Sequence, residues 1–435
     1  MSRTGRLAAA TAVLAVVIAA GTATLLRSRT APEEVAETPS PAVTATPTPS
    51  PRTTSVEQQL HAVARLVAEV RELDFEELPE PTYLSPDELA GRAALLLEGY
   101  TEAEAAQDAR ILAALGAIPA DMDLRETLGE ALAEQVAGIY DPRTGELVVA
   151  TSARDGPLPP FDEITLAHEL QHALADQVLG LPDEDPEPGT EDAALAAQAL
   201  VEGDATYAMI LYAQRALTPG ELADLAAQAG ELAGQQEVLE ALPHYLRRSL
   251  VFPYEEGLTF VVSVESRAGW EAVNDAYRKP PTSTLQILRP ELFLSGEGGG
   301  EETRDVSDPG APWRREARLQ FGAADLLFLF EAPGDDPSRA LEDASTLAAT
   351  WRGGELILLT DGDRTAVGIA MVGTSRLCDG MDRWYAAAFP TSARSTRDGV
   401  TRFDGTDQDA VLRCDGSDVR LGIAPDLGRA DAITR

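Results

Sequence analysis

Basic side chains are scarce in this sequence. Its 435 residues include 35 Lys+Arg against 72 Asp+Glu, a formal charge of −37, with a pI near 4.3. A chain this acidic is repelled by nucleic-acid phosphates and by anionic lipid surfaces, so a polyanion-binding role is excluded. Cysteine is nearly missing, with Cys378 and Cys414 alone, and there are only four histidines. No other Cys or His lies near the two cysteines, which argues against a zinc site built on them. Internal repeats are absent. What remains is an ordinary globular composition, 44% hydrophobic and 25% charged, long enough for two or three domain-sized units.

Acids are also missing from residues 1–30, which hold four arginines, Arg3, Arg6, Arg27 and Arg29. Without those four, 31 basic residues face 72 acids in the rest of the chain, a charge of −41. Between the arginine pairs, residues 7–26 carry no charge and are rich in Ala, Val, Leu and Ile. As a helix they would span about 30 Å, the thickness of a bilayer core. The segment 1–30 therefore predicts a signal anchor, or alternatively a cleaved signal peptide, given the small residues at 20–23. Residues 31–56 are rich in Pro and Thr and lack apolar periodicity, which predicts a semi-extended tether. The expected location is the cell membrane, single-pass, with the C-terminal bulk outside the cytoplasm, or secreted if the signal is cleaved. Cys378 and Cys414 fit that compartment as one intramolecular disulfide, two free thiols being the alternative.

The remainder divides by pattern into an α+β chain. Helical periodicity runs over 57–73, 85–99, 101–115 and 124–137. Residues 136–150, VAGIYDPRTGELVVA, read as a hairpin around a Gly-containing turn. Helices return at 161–178 and 191–215. The run GEGGG at 296–300 marks a loop, after which 340–351 reads as helix. Residues 355–360 and 364–372 pair across Asp-Gly-Asp, and strands follow near Thr401 and Val411. This gives a mainly helical lobe at 57–295, with a short hairpin, and a smaller α+β lobe at 313–425. Whether 57–130 is a prodomain over a cleft or part of the fold stays open.

The chemistry concentrates in FDEITLAHELQHALADQV, residues 161–178. His168 and His172, four apart, lie on one helix face and can present ring nitrogens to a single ion. Zinc accepts such nitrogens. Glu169 sits about 100° further round, beside the ion, where it can take a proton from a water that the metal acidifies. An exposed helix face is the bland alternative, but the stripe Ile164, Leu166, Leu170, Leu174, Val178 suits a buried central helix. A catalytic site needs a third protein ligand. His61 and His244 are distant in sequence and solitary, and Ala175 and Val178 stand where a metzincin would need Gly and His. A carboxylate is the better donor, and 191–215 is apolar almost all round with Glu202 and Asp204 set into it. Buried acids need a cation or strong donors. Glu202 lies on the stripe of Leu195, Ala199, Ala205 and Met209 and is the expected third ligand.

HELQHAL followed thirty residues later by LVEGDAT resembles the gluzincin-type zinc metallopeptidases. GIYDPRTGELVV, ALVEGDAT, PYEEGLTFV and RAGWEAVNDAYRKPPTSTLQIL further resemble a family of bacterial exported metallopeptidases, over roughly residues 130–290. The resemblance implies a zincin-like lobe at 57–295, with His168, His172 and Glu202 as zinc ligands and Glu169 as general base. It also implies that the hairpin strand beside the active-site helix can pair with an extended peptide.

The sequence departs from the family pattern in places. The gluzincin Asp that orients a zinc histidine, four after the ligand Glu, is here Thr206. Asp204, about 200° round from Glu202, or Asp176, four after His172, is the candidate for that role, each equally a surface or capping acid. The family carries a His in the segment that reads Ile287-Leu288-Arg289-Pro290, where Arg289 would have to substitute. The stabiliser of the tetrahedral oxyanion is sought among Tyr254, His244 and Arg289, in a stretch that reads as rich in turns, and Tyr254 is favoured. The expected activity is hydrolysis of peptides or proteins. A catalytically inactive zincin-fold binding or sensor module at the cell surface is the alternative. Self-processing in the tether is compatible with either location, and the sequence sets no oligomeric state.

Overall fold

A computed structural model describes residues 11–14, 55–93, 97, 99–151, 157–182, 190–231 and 233–435. Most of the predicted membrane segment and almost all of the tether lie outside the described residues. Within 7–26, Thr11–Leu14 are described, and they form strand β1 rather than helix. An open sheet edge supplies the backbone partners, and Thr and Val favour the extended form. No helix among the described residues is long and apolar enough to cross a membrane.

Helix α1, Val56–Arg71, starts where the Ser55 side chain accepts from the Gln58 N–H. It buries Leu60, Val63, Ala64, Val67 and Val70, the i, i+3, i+4 face that its periodicity predicts. Strand β2 is Thr82–Leu84. The helix expected at 85–99 is shorter, Pro86–Ala93, and residues 94–96 and 98 lie outside the described set. Helix α2, Glu102–Ala114, opens with a Thr101/Glu104 capping box. Helix α3, Leu124–Gln135, turns directly into the hairpin of β3, Val136–Asp141, and β4, Glu146–Ala150. Gly145, at φ 71°, closes the turn by donating to the Asp141 carbonyl at 2.7 Å.

Three long helices then build the centre: α4, Pro160–Leu179; α5, Glu191–Ala216; and α6, His244–Arg278. Proline at the first turn and the acids Asp162 and Glu163 suit the start of α4. Every residue from Glu163 to Ala175 is buried, so α4 is central on all sides, not along one stripe. The region around Tyr254 is helical, contrary to its turn-rich appearance. Pro253 is carried inside α6, and the break comes later, at Gly269, where φ is 78°.

The C-terminal part holds β5, Arg314–Gln320, and α7, Ala323–Glu331, followed by β6, Trp351–Asp361, and β7, Arg364–Gly373. Helix α8, Ser375–Ala388, leads to β8, Ala393–Arg397, β9, Val400–Asp404, β10, Asp409–Asp415, and β11, Asp418–Ala424, before a last helix α9, Leu427–Ile433. The helix expected at 340–351 shrinks to Ala344–Ala348, because Trp351 is drawn into β6, fully buried, with its indole N–H donating to the Phe321 carbonyl. Cys378 on α8 and Cys414 on β10 are joined as a disulfide.

The fold is thus α+β, with two sheets. The four-stranded sheet has the order β1-β3-β4-β2, and β2 pairs parallel to β4. The seven-stranded sheet has the order β5-β6-β7-β11-β10-β9-β8, with every neighbouring pair antiparallel. One apolar cluster runs from Leu128 and Phe260 through Phe328 to Trp351 and Trp384, so the two lobes share a core.

Two glycines fix how α5 crosses α6. A Cβ on Gly203 would stand 2.1 Å from the backbone carbon of Gly257, and one on Gly257 would stand 2.0 Å from the Ala199 carbonyl oxygen. The helices therefore touch backbone to backbone, which no side chain at either position would allow. This contact sets Glu202, beside Gly203, and Tyr254, one turn before Gly257, against the His168–His172 turn in the middle of α4.

Candidate metal centre

The structure brings together His168, His172 and Glu202, all buried. Both rings present Nε2, 2.9 Å apart. Glu202 Oε2 lies 3.2 Å from His168 Nε2 and 3.4 Å from His172 Nε2. Ligands about 2.0–2.1 Å from a tetrahedral zinc stand roughly 3.3 Å from one another. The three donors are spaced for such an ion, and among the described residues they form the one His/acid group that could hold a metal.

Electrostatics point the same way. Burial pushes His168 down to about 4, the hydrogen bond with Glu202 opposing it only in part, so the ring is neutral, as a ligand must be. Glu169 is fully buried, and neither carboxylate oxygen has a hydrogen-bond partner. Burial, and then the charge of Glu202, raise its carboxyl well above the ordinary range. Two buried carboxyl groups beside the neutral His168 ring are costly without a cation. The residues present therefore fit a dication.

Glu169 keeps its place because β3 offers a glycine. A Cβ on Gly138 would lie 2.6 Å from Glu169 Oε1 and 3.0 Å from Thr165 Cγ2. On its outer edge Gly138 pairs with Val13 of β1, which runs antiparallel to β3 with a register shift after Val13. The edge beside the candidate site thus holds an extended segment, and it belongs to this chain.

Tyr254 reaches the site from α6, its ring 6.3 Å from that of His168 and nearly parallel to it. Burial, the charges of Glu202 and Glu169, and a hydrogen bond to Glu202 raise its hydroxyl far above the normal range, so it remains a proton donor. The other two electrophile candidates are engaged elsewhere. His244 contacts Glu331 and Arg247 at 2.9 Å each. Arg289 is ion-paired with Glu291 at 2.5 Å. His61 is exposed on α1.

The candidates for orienting a histidine make other bonds. Asp176 accepts from the Tyr140 hydroxyl at 2.7 Å. Asp204 accepts from Gln171 at 3.0 Å and from Tyr277 at 2.9 Å, and pairs with Arg71. His168 Nδ1 and His172 Nδ1 have no hydrogen-bond partner. Sequence reasoning missed Gly138, Gly203, Gly257 and Arg71. The glycines do recur inside the segments GIYDP, LVEGD and YEEGL, whereas Arg71 reads as an ordinary basic residue at a helix C-terminus.

No protein-family model matches the chain, and no curated protein matches it. A crystal structure presented as that of a proposed hydrolase with a novel fold, from Chloroflexus aurantiacus, is similar at 16% identity and a TM-score of 0.36. The match covers 55% of this chain and 88% of that one. A likeness this distant carries no argument about chemistry.

Proposed function

We propose that this protein is a zinc-dependent peptide hydrolase of gluzincin type, with His168, His172 and Glu202 as the metal-holding set. The observation that carries the proposal is the convergence of three buried donors beside a buried carboxylate, Glu169, that makes no bond of its own. Bound zinc would supply Lewis acidity to a water and to the scissile carbonyl. Glu169 takes the proton from the attacking water and returns it to the leaving amine, and its raised affinity for protons suits both steps. Tyr254 donates its hydroxyl to the oxyanion of the tetrahedral intermediate. The β3 edge aligns the peptide main chain next to Glu169, a role supported by its pairing with β1. Cutting the chain's own N-terminal segment or tether is one use of such an arrangement.

The disulfide supports an oxidising compartment outside the cytoplasm. We further propose tethering to the membrane through residues 7–26, with peptides or proteins as substrates and no nucleic-acid partner. The test combines metal analysis with a peptide-library cleavage assay, wild type against Glu169→Ala. Stoichiometric zinc in both, with cleavage by the wild type alone, is expected. Zinc binding with no cleavage by either protein sinks the enzymatic proposal and favours a binding module.

A further inference from the structure

Asp204 gathers more than its neighbours on α5. Its Oδ1 is 2.8 Å from Arg71 Nε, and its Oδ2 is 3.0 Å from Arg71 Nη2. The same Oδ2 accepts from Gln171 and from Tyr277. Arg71 in turn donates to Asn274 Oδ1 at 3.0 Å, and its guanidinium lies over the Trp270 ring at 4.1 Å. Both side chains of the ion pair are fully buried. One carboxylate thus ties together four helices: α1 through Arg71, α4 through Gln171, α5 through Asp204 itself, and α6 through Tyr277.

These ties adjoin the metal donors. Gln171 lies within the HELQH motif, directly before His172, and Asp204 is two residues after Glu202. The relative placement of α4 and α5 is therefore held at two points. One is the candidate metal, between Glu202 and the histidines. The other is Asp204 with Gln171, which needs no metal. The second point depends on Arg71. Among the described residues, Arg71 is the one buried permanent cation, and without it Asp204 is a buried acid with two neutral donors.

From this geometry we propose that Arg71 is a positioning residue for the metal centre. Through Asp204 it holds Glu202 in register with His168 and His172 before the ion arrives. Helix α1 is then a working part of the centre and not a detachable prodomain. The inference rests on the metal-centre reading above and names a residue in a stretch whose role was open in the sequence.

The experiment measures zinc affinity of the full chain by competition with a chromophoric chelator. It compares wild type, Arg71→Lys, Arg71→Met and the double variant Arg71→Met/Asp204→Asn. Each is measured at a temperature where circular dichroism shows wild-type helix content. Arg71→Met should weaken zinc binding about tenfold or more, the loss typical of residues that orient metal ligands. Arg71→Lys should lose less. The double variant should recover thermal stability without recovering affinity, an outcome that a merely structural ion pair does not give. Zinc affinities within twofold of wild type in the folded variants would overturn the proposal. If Arg71→Met does not fold, the lysine and double variants decide by the same criterion. A wild-type chain that binds no zinc removes the metal-centre reading itself, and that result is distinct from equal affinities.

Discussion

The two lobes bury their polar groups very differently. Among the described residues, the buried ionisable side chains Arg71, Glu163, His168, Glu169, Asp192, Glu202 and Asp204 all precede the seven-stranded sheet, as does His172. Past residue 300 the buried polar side chains are Thr401 and Thr434. The C-terminal lobe follows the usual economy, with apolar residues inside, ion pairs at the surface and a disulfide across α8 and β10. The helical lobe accepts the desolvation cost of several carboxylates, and three of them, Glu169, Glu202 and Asp204, gather at one set of metal-type donors. Stability is the simpler account of the first lobe. The second has a donor set that could hold an ion.

That contrast can be broken or sharpened by substitution. Glu169→Gln should lower peptide hydrolysis about 10³-fold, leaving zinc content and the melting temperature near wild type; a variant that keeps its activity removes Glu169 from the mechanism. Replacing both cysteines by serine acts on the other lobe. The disulfide closes a separation of 36 residues, so its loss should cost about 4 kcal/mol while zinc affinity stays unchanged. Loss of zinc on that change would show that the shared core couples the lobes more tightly than the buried polar pattern suggests.

Asp192 sits between the lobes, accepting from the Thr284 N–H and hydroxyl and packed against Gly322. Burial first, and the charge of Asp325, push its carboxyl up to about 7, against the Thr284 bonds. The folded value is above the unfolded one, so the stabilisation it gives is full below about pH 4 and is lost as pH rises to about 7. Asp192→Asn should flatten that part of the stability curve, by no more than about 4 kcal/mol in all. Denaturant melts of both proteins from pH 4 to pH 8 check this, and parallel curves would refute it. Gly257→Ala drives a methyl group into the Ala199 backbone carbonyl, so α5 and α6 must move apart. A loss of about 3 kcal/mol or more is expected, together with weaker zinc binding, since Glu202 moves with α5.

Much of this was legible in the sequence where spacing alone carries the information. His168, Glu169 and His172 needed only the helical period, and Glu202 stood out because a carboxylate in an apolar helix requires a partner. The hairpin at β3 and β4 and the pair β6 and β7 were marked by their turn residues. The predicted helix at 340–351 failed because burial of Trp351 against Phe321 outweighed local propensity. The turn-rich expectation around Tyr254 failed because packing of α6 against α5 outweighs the helix-weakening of Pro253 and Gly257. Both outcomes depend on distant partners that a local pattern does not contain.

The sequence by itself determined the acidic balance, the donor pair on α4 and the buried acids on α5, because each is a matter of residue type and local period. Only the tertiary structure decided that Tyr254 rather than His244 or Arg289 stands at the donors, that Gly138 makes room for Glu169, and that Asp204 pairs with Arg71. Those facts are contacts between elements far apart in the chain, set by how closely helices and strands can approach. The scarcity of basic residues also takes on a sharper meaning. In a chain with 72 acids and 35 bases, the one arginine buried among the described residues is paired with Asp204, where desolvation makes a single charge count.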